Sequence, residues 1–398
     1  MSGKLKFEGR SLRDARELRG LTQVDLAKIV GISTCSIGKY ESGDAPSKGV
    51  INRLALGLQV PPSFFSSSIC SSLDDSTPIF FGAIDTISPI FKRSAIAQLA
   101  WHQFLLFYVA QWVEKPNEKG RGFPKFHSFS DVRDIDEDYI EAAALELRSH
   151  WGLSLGPISS ISCLLFNKDV MLGRTSFIDC NLNSISHRNF DEPLILVSSD
   201  IKCGMKLRME ICYQLGHQLL HRNIPRDGLK SAAMRLKAER QAWHFAEAFM
   251  LPGDALDRDL NVGLSPRQLV ERWKVWPVHI FNRMACLGMI SKSAAQARIR
   301  DAMTGSSGRD GTFSSLGKSL AGGRGREGHS FLYDAFKVLL DEGVQTPDQI
   351  SEALHLFEDD IEDLAGLPDN FFGRWRRTNT VSNLLGLKHF KRRKFDWK

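Results

Sequence analysis

The stretch 211–221, ICYQLGHQLLH, carries polar side chains at the spacing of a zinc-binding helix. In the H-E-x-x-H pattern, two histidines one helical turn apart hold Zn²⁺, and the Glu beside the first activates a bound water. Here Tyr213 stands at the first position, Gln214 stands at the second, and His217 keeps its type. The stretch therefore predicts an altered metal centre or an ordinary buried helix.

The two replacements limit the chemistry that remains. A Gln side chain has no proton to exchange near neutral pH, so Gln214 cannot act as the general base. Tyrosine has an ordinary pKa of about 10 and replaces imidazole poorly, although a nearby metal could lower that pKa. A shifted register would pair His217 with His221, but Gln218 then occupies the position of the Glu. Both registers place an amide where the chemistry requires a carboxylate.

The N-terminal segment has the pattern of two short helices joined by a tight turn. Thr22 is a natural N-cap for the first helix, Gly31 supplies the turn, and Ser33 caps the second helix, STCSIGKYESG. This pattern predicts a helix-turn-helix module, with a small helical bundle as the alternative. Its predicted core consists of Leu12, Ala15, Leu18, Leu26, Ala27, Ile32, Ile37 and Leu54.

The same segment resembles the XRE/Cro-type DNA-binding family. The resemblance is carried by RELRGLTQVDLA, by GIS, by IGKYESG at the end of the second helix, and by Pro46. It implies that the module binds double-stranded operator DNA, and we expect a homodimer on two half-sites. By the same resemblance, Gln23 sits over a phosphate. The residues implied to face the groove are Ser33, Thr34, Cys35, Ser36 and Lys39.

The middle of the chain resembles the ImmA/IrrE metallopeptidase family over residues 136–300. Its blocks include ELRSHWGLSLGPISSI, DEPLILVSSD, LRMEICYQLGHQLLH and ERQAWHFAEAFMLP. In that family, two His and a Glu on the next helix bind the metal. The resemblance makes His217 the second His ligand and Glu239 the third ligand, with Tyr213 in place of the first His and Gln214 in place of the base. His221 matches a His often found one turn further on.

Three interpretations of this domain remain open. The favoured one is a non-catalytic sensor or interaction domain, because function is argued from the site and not from the fold. A second is a non-catalytic metal site of His217, His221 and Glu239, and a third is a peptidase with a substitute base. His217 could also simply hydrogen-bond Glu239, and His244 is interpreted as a packing residue. No cofactor is expected, and zinc is the alternative.

Composition and charge narrow the class of protein. The chain has 398 residues, 42% of them hydrophobic, and a net charge of +6, which is typical of a soluble protein. Seven scattered cysteines form no C-x-x-C pair, so we expect free thiols in a reducing cytoplasm. No apolar run reaches the length of a membrane span, and the first residues lack the apolar core of a secretory signal. Both ends are basic, which favours a polyanionic partner.

The helix and strand patterns predict a mainly α chain with a small β-sheet, an α+β fold. An all-α helix-turn-helix module comes first, a zincin-like α+β domain follows, and a helical module comes last. VMLGRTSF and PLILVSS are the predicted strands, with the second one central in the sheet. The predicted divisions are a DNA-binding domain at 9–65, a linker and helical connector at 66–135, the ImmA/IrrE-like domain at 136–300, a flexible Gly/Ser-rich linker at 301–328, a helical module at 329–372 and a basic tail at 373–398.

The basic tail interleaves Phe390, Phe395 and Trp397 with cations, and it holds nine Lys and Arg against one acidic residue. One interpretation is a solvated, disordered end, because runs of like charge usually are. The other is a phosphate clamp that strengthens DNA binding without adding sequence specificity. Its candidate phosphate contacts are Lys391, Arg392, Arg393 and Lys394.

These features together predict a cytoplasmic, sequence-specific transcriptional regulator of the kind found in bacteria. The altered middle domain would sense or bind a protein or peptide effector, and we expect no membrane partner. Two alternatives belong to other classes. One is a zinc-dependent metalloprotease that cleaves a repressor, and the other is an antirepressor that acts only through protein contacts.

Overall fold

The computed structural model describes residues 6–66, 73, 77–83, 87–113, 122–178, 181–189, 192–304 and 330–383. It confirms a mainly α fold with a small β-sheet, and the described part of the chain has one four-stranded sheet. No helix within those ranges is long and apolar enough to cross a membrane. The predicted flexibility of the Gly/Ser-rich linker from 305 on, and the predicted phosphate contacts of the tail, fall outside the described residues.

Four helices form the N-terminal module, and its local signals act as the sequence predicts. The Thr22 side chain accepts from the backbone N–H of Asp25 in a capping box, and Gly31 takes a left-handed φ of 70°. The Ser33 side chain accepts from the backbone N–H of Ser36. The predicted core residues are buried, except that Ile32 is only partly so. The helices are α1 (Gly9–Leu18), α2 (Gln23–Val30), α3 (Thr34–Glu41) and α4 (Lys48–Leu58).

The sheet has the strand order β1-β3-β4-β2, with β2 and β4 parallel and the other pairs antiparallel. The second predicted strand is therefore central, as expected. Two strands were not predicted: β3, and β1, which comes from the segment assigned to a linker and connector. The strands are β1 (Phe80–Ala83), β2 (Met171–Thr175), β3 (Leu182–Asn189) and β4 (Glu192–Ser198).

In the described part of the middle region there are nine α-helices, of which α5, α7 and α8 pack on the sheet. The stretch with the altered zinc motif forms most of α8, and Glu239 lies on α9, which packs along it. The helices are α5 (Pro89–Ala110), α6 (Glu137–His150), α7 (Ile161–Asn167), α8 (Gly204–Leu220), α9 (Ala232–Met250), α10 (Gly253–Asn261), α11 (Pro266–Trp273), α12 (Pro277–Cys286) and α13 (Lys292–Thr304).

Each face of the sheet belongs to a different hydrophobic core. Along β4, Ile195 and Val197 pack in the core of α6, α8 and α9, whereas Leu194 and Leu196 pack in the core that contains α5. Alternation of side chains along a strand produces this division. The α5 core also includes the N-terminal module and the C-terminal helices α14 (Phe331–Asp341), α15 (Pro347–Leu354), α16 (Glu358–Ala365) and the first turn of α17 (Phe371–Asn383).

Candidate functional site

Helix α3 presents the residues that the sequence assigned to DNA. Thr34, Cys35 and Lys39 are exposed, and Ile37 is fully buried on the opposite face. Ser33 and Ser36 have a structural role as well, because their hydroxyls lie 2.9 Å apart and Ser33 caps the helix. The side chains left with no hydrogen-bonded role in the start of α3 are therefore those of Thr34 and Cys35, one turn before Lys39.

A buried ion pair fixes the orientation of α3 on α1. Arg16 and Glu41 are 5% and 6% exposed, and the Arg16 Nε donates to a Glu41 carboxylate oxygen at 2.6 Å. The Arg16 Nη1 donates to the Leu21 backbone carbonyl at 2.8 Å. The Gln23 side chain, expected over a phosphate, donates its Nε2 to Glu41 at 2.8 Å. Gln23 thus helps to hold α3 through its amide nitrogen, and the residue as a whole is partly exposed to solvent.

A second group of polar side chains lies where α8 and α9 pack together. We call Tyr213, His217 and Glu239 the polar centre. The Tyr213 hydroxyl donates to Glu239 Oε2, and the His217 Nε2 lies 3.9 Å from the same oxygen. The predicted mapping of Glu239 opposite His217 is therefore consistent with the geometry. Phe80 of β1 stacks on the His217 ring with a centroid distance of 4.4 Å, and Trp243 stacks on Tyr213 at 4.6 Å.

Hydrogen bonds around the polar centre determine which nitrogen His217 presents. Gln241 Nε2 donates to the backbone carbonyls of Val132 and Ile135, both at 2.8 Å, so its Oε1 must face His221 Nε2. Burial keeps the pKa of His221 well below its usual value, so His221 is neutral and carries its proton on Nε2.

It follows that His221 Nδ1 is an acceptor, and His217 Nδ1 donates to it across 3.0 Å. His217 therefore presents Nε2 to Glu239, and this buried atom has no hydrogen-bond partner among the described residues. Both ring nitrogens of His221 are occupied. The expected metal set of His217, His221 and Glu239 is thus not brought together, because His221 faces Gln241 and not Glu239.

Gln214 points away from the polar centre. Its Oε1 accepts from Ser186 Oγ and its Nε2 donates to Ser184 Oγ, both at 2.6 Å. Ser184 in turn donates to Glu210 at 2.6 Å, and Gln218 donates to Ser186 at 2.8 Å. We call this buried chain the α8–β3 ladder. The ladder uses both the oxygen and the nitrogen of the Gln214 amide. Gln214, which stands where the motif has its base, therefore helps to hold α8 on the sheet.

Side-chain ionisation follows from the same contacts. Burial raises the pKa of Tyr213 well above 10, and the Glu239 carboxylate raises it further, so Tyr213 stays protonated. Burial alone would raise the pKa of Glu239, but His217 and the Tyr213 hydroxyl lower it below its usual value. A neutral phenol is a poor zinc ligand, and the next residue of the motif is Gln214, an amide in the place of the carboxylate that would act as the base. This donor set does not fit a hydrolytic zinc centre.

Sequence reasoning named Gln214 and Gln218 but missed their hydrogen bonds, and it missed Glu210, Ser184 and Ser186 altogether. The ladder residues Glu210, Gln214 and Gln218 are spaced four apart, and Ser184 and Ser186 are spaced two apart. These spacings are a readable sign of one helix face packed on one strand face. No local pattern indicates Phe80, because its contact depends on how β1 pairs with β3.

Comparison with known proteins agrees with the N-terminal geometry. Residues 12–65 match the family model for the helix-turn-helix. The match confirms the predicted helix-turn-helix module and supports a DNA-binding transcriptional regulator. No curated protein matches the chain.

Proposed function

We propose that the chain is a sequence-specific transcriptional regulator that binds operator DNA through α3 in the bacterial cytoplasm. Its middle domain is an ImmA/IrrE-like fold that has lost its catalytic base and acts as a sensor or protein-interaction module. The observation that carries the proposal is the exposed start of α3, held on α1 by the buried Arg16–Glu41 pair. A helix that reads base edges needs such a fixed orientation.

The exposed residues of α3 fit two separate tasks in DNA recognition. Lys39 offers a mobile positive charge, which suits a phosphate contact with little sequence information. Thr34 offers a hydroxyl and a methyl group, which can contact base edges and the thymine methyl. Since α3 carries no Arg, Asn or Gln, we expect part of the specificity to come from DNA shape.

The absence of a base supports the non-catalytic role of the middle domain. A zinc-bound water needs a carboxylate within hydrogen-bond reach, and Gln214 is held by Ser184 and Ser186 on the sheet. Phe80 also covers one face of His217. His217 Nε2 is a buried imidazole nitrogen next to Glu239 that has no hydrogen-bond partner in the described part of the chain, and such a site is suited to binding a polar group of an effector, not to hydrolysing it.

The helix-turn-helix module packs on α5 and makes polar contacts to the rest of the chain that provide a route for effector binding to reach it. Ser94 of α5 donates to the Leu18 backbone carbonyl at 3.3 Å, and Arg19 pairs with Asp360 of α16 at 2.6 Å. These contacts join α1 to helices that pack on the sheet. We propose that a protein or peptide effector acts on DNA binding through them.

A homodimer supplies a second helix-turn-helix module, which binds the second half-site of the operator. A single module neutralises few phosphates, so two copies on adjacent half-sites give the affinity that one lacks. Ile29 and Leu56 are 53% and 81% exposed, and Gly57, the residue after Leu56, approaches the Ile29 side chain. These exposed apolar side chains on α2 and α4 support a contact between copies.

Fluorescence anisotropy with labelled duplex tests the DNA-binding role. We expect Lys39→Ala to weaken binding to every duplex and to lower the salt slope by about 1, as expected when one phosphate is no longer neutralised. Lys292→Ala, at an exposed lysine of α13, is the matched control and should bind like the unmodified chain. Equal binding by both variants would remove α3 from the interface.

A further inference from the structure

A second cluster of metal-binding side chains lies where α6, α9 and α12 meet. The ligand atoms of Glu137, His244 and Cys286 all lie within 4.8 Å of one another. In the described part of the chain, no other three His, Cys, Asp or Glu ligand atoms come this close together. His244 lies five residues beyond Glu239 on α9, about 7.5 Å along the helix axis.

We infer that Glu137, His244 and Cys286 form a binding site for one Zn²⁺ ion, distinct from the polar centre. Thiolate, imidazole and carboxylate together are the ligand types that zinc takes in proteins. The Cys286 Sγ is 3.8 Å from the His244 Nε2. Zinc bond lengths of about 2.3 Å to sulfur and 2.0–2.1 Å to nitrogen give a tetrahedral S···N separation of about 3.6 Å, close to this distance. Water fills the fourth position.

The surroundings of His244 hold its ring toward the site. Glu141, one turn from Glu137 on α6, accepts from the His244 Nε2 at 2.7 Å. Glu141 is itself fixed by Arg283, a fully buried residue whose Nη2 donates to it at 2.7 Å. His244 was expected only to pack against its neighbours. It also joins α9 to α6 through its hydrogen bond to Glu141.

Binding displaces protons that these contacts hold. Zinc replaces the proton on His244 Nε2 and leaves a neutral imidazole with its proton on Nδ1, and it binds Cys286 as the thiolate, whose proton also leaves. Glu141 then loses its bond to His244 and keeps its two bonds to Arg283. The bound ion joins α9 to both α6 and α12, and we infer that it stiffens the helix that carries Glu239. This departs from the expectation of no cofactor, and it does not depend on the proposed DNA-binding role.

Cobalt titration of the full chain tests the site, because Co²⁺ bound to a thiolate absorbs by ligand-to-metal charge transfer. We expect one Co²⁺ per chain with that absorption, displaced by Zn²⁺. Cys286→Ser should lose the absorption, and His244→Gln should weaken binding by more than the roughly 10- to 100-fold that the loss of an outer-shell partner costs. Two matched controls, Cys163→Ser at another exposed cysteine and His217→Gln in the polar centre, should keep both signals.

Folding is checked separately, by comparing melting temperatures with and without Zn²⁺. The unmodified chain should melt at a higher temperature with Zn²⁺, because a ligand that binds only the folded state stabilises that state. The melting temperature of Cys286→Ser should not change with Zn²⁺. Three results would overturn the inference: no bound metal, absorption that persists in Cys286→Ser, or binding lost in His217→Gln and kept in Cys286→Ser. The last would place the ion in the polar centre.

Discussion

Single residues in α8 show how burial, more than motif identity, sets their chemistry. Glu210 is fully buried at the end of the α8–β3 ladder, and its only hydrogen bond among those described comes from Ser184. Burial raises its pKa from 4.5 to about 7. Gly82 lies over the same point, where a Cβ would come within 2.5 Å of the Glu210 carboxylate. The fold thus favours the protonated form of Glu210.

We predict a measurable pH dependence from Glu210. Because its folded pKa is raised, its contribution to stability is complete below about pH 4.5 and is lost as the pH rises through about 7. The loss amounts to about 3 kcal/mol. Glu210→Gln keeps an oxygen that accepts from Ser184 and removes this loss. Urea unfolding should find the variant more stable by up to about 3 kcal/mol at pH 8 and equal to the unmodified chain at pH 4.

The control for this experiment is Glu352→Gln at an exposed glutamate of α15, which should leave the pH profile unchanged. If Glu210→Gln had the same pH profile as the unmodified chain, the Glu210 carboxyl would not be the titrating group.

At the scale of elements, the sequence predicted the helix caps and turns, which depend on neighbouring residues. It missed strand β3, which depends on pairing with distant parts of the chain. The capping residues Thr22 and Ser33 and the turn at Gly31 act as expected, because each acts within a few residues. Strand β3, LNSISHRN, lacks the apolar alternation of a half-buried strand. Two of its buried positions, Ser184 and Ser186, are polar, and their partners are ladder residues on α8. A strand that buries polar groups against a polar helix face has no hydrophobic signature to read.

The candidate site was predictable to a similar extent. The position of Glu239 opposite His217 follows from matching the two helices, and the geometry agrees with it. The direction of Gln214 and the partners of His221 could not be read from the sequence. Both depend on residues far along the chain, Ser184 and Gln241, which tertiary packing brings to α8.

The contact between α1 and α3 gives an element-scale prediction. Removing one partner of a buried ion pair leaves an uncompensated charge, which costs about 3–5 kcal/mol. We predict that Glu41→Ala destabilises the N-terminal module by about this amount and abolishes DNA binding. Glu8→Ala removes the partly exposed partner of the exposed Lys6 and should change stability by less than about 1 kcal/mol. Equal unfolding curves for the two variants would show that the Arg16–Glu41 pair does not hold α3.

Rebuilding the altered motif tests the relation of α8 to α9. Tyr213→His with Gln214→Glu restores H-E-x-x-H opposite Glu239, and we predict that this variant binds about one additional Zn²⁺ per chain at the polar centre. Cys286→Ser in the same background excludes the second cluster. The new Glu must give up the bonds that Gln214 makes to Ser184 and Ser186, so we expect lower stability as well. Failure to bind the additional zinc would mean that Glu239 does not complete the ligand set.

At the scale of the whole molecule, the net positive charge is concentrated in the N-terminal and C-terminal segments of the chain. The DNA-binding module lies in the N-terminal one. We predict that deleting residues 388–398 lowers affinity for specific and random duplex by the same factor. The salt slope should fall by about 0.9 for each phosphate that the shortened chain no longer neutralises. Anisotropy titrations at several salt concentrations measure both quantities. Unchanged affinity at low salt, where such interactions are strongest, would give the tail another role.

The central claim is that α3 reads a DNA sequence, and selection from a random duplex pool tests it most directly. The full chain should enrich one motif with two related half-sites, and Thr34→Ala should enrich a motif altered at one position in each half-site, where discrimination falls by about 1–3 kcal/mol. Lys292→Ala should reproduce the motif of the unmodified chain. Enrichment of no motif, or of the same motif by the unmodified chain and by Thr34→Ala, would contradict sequence reading by this helix.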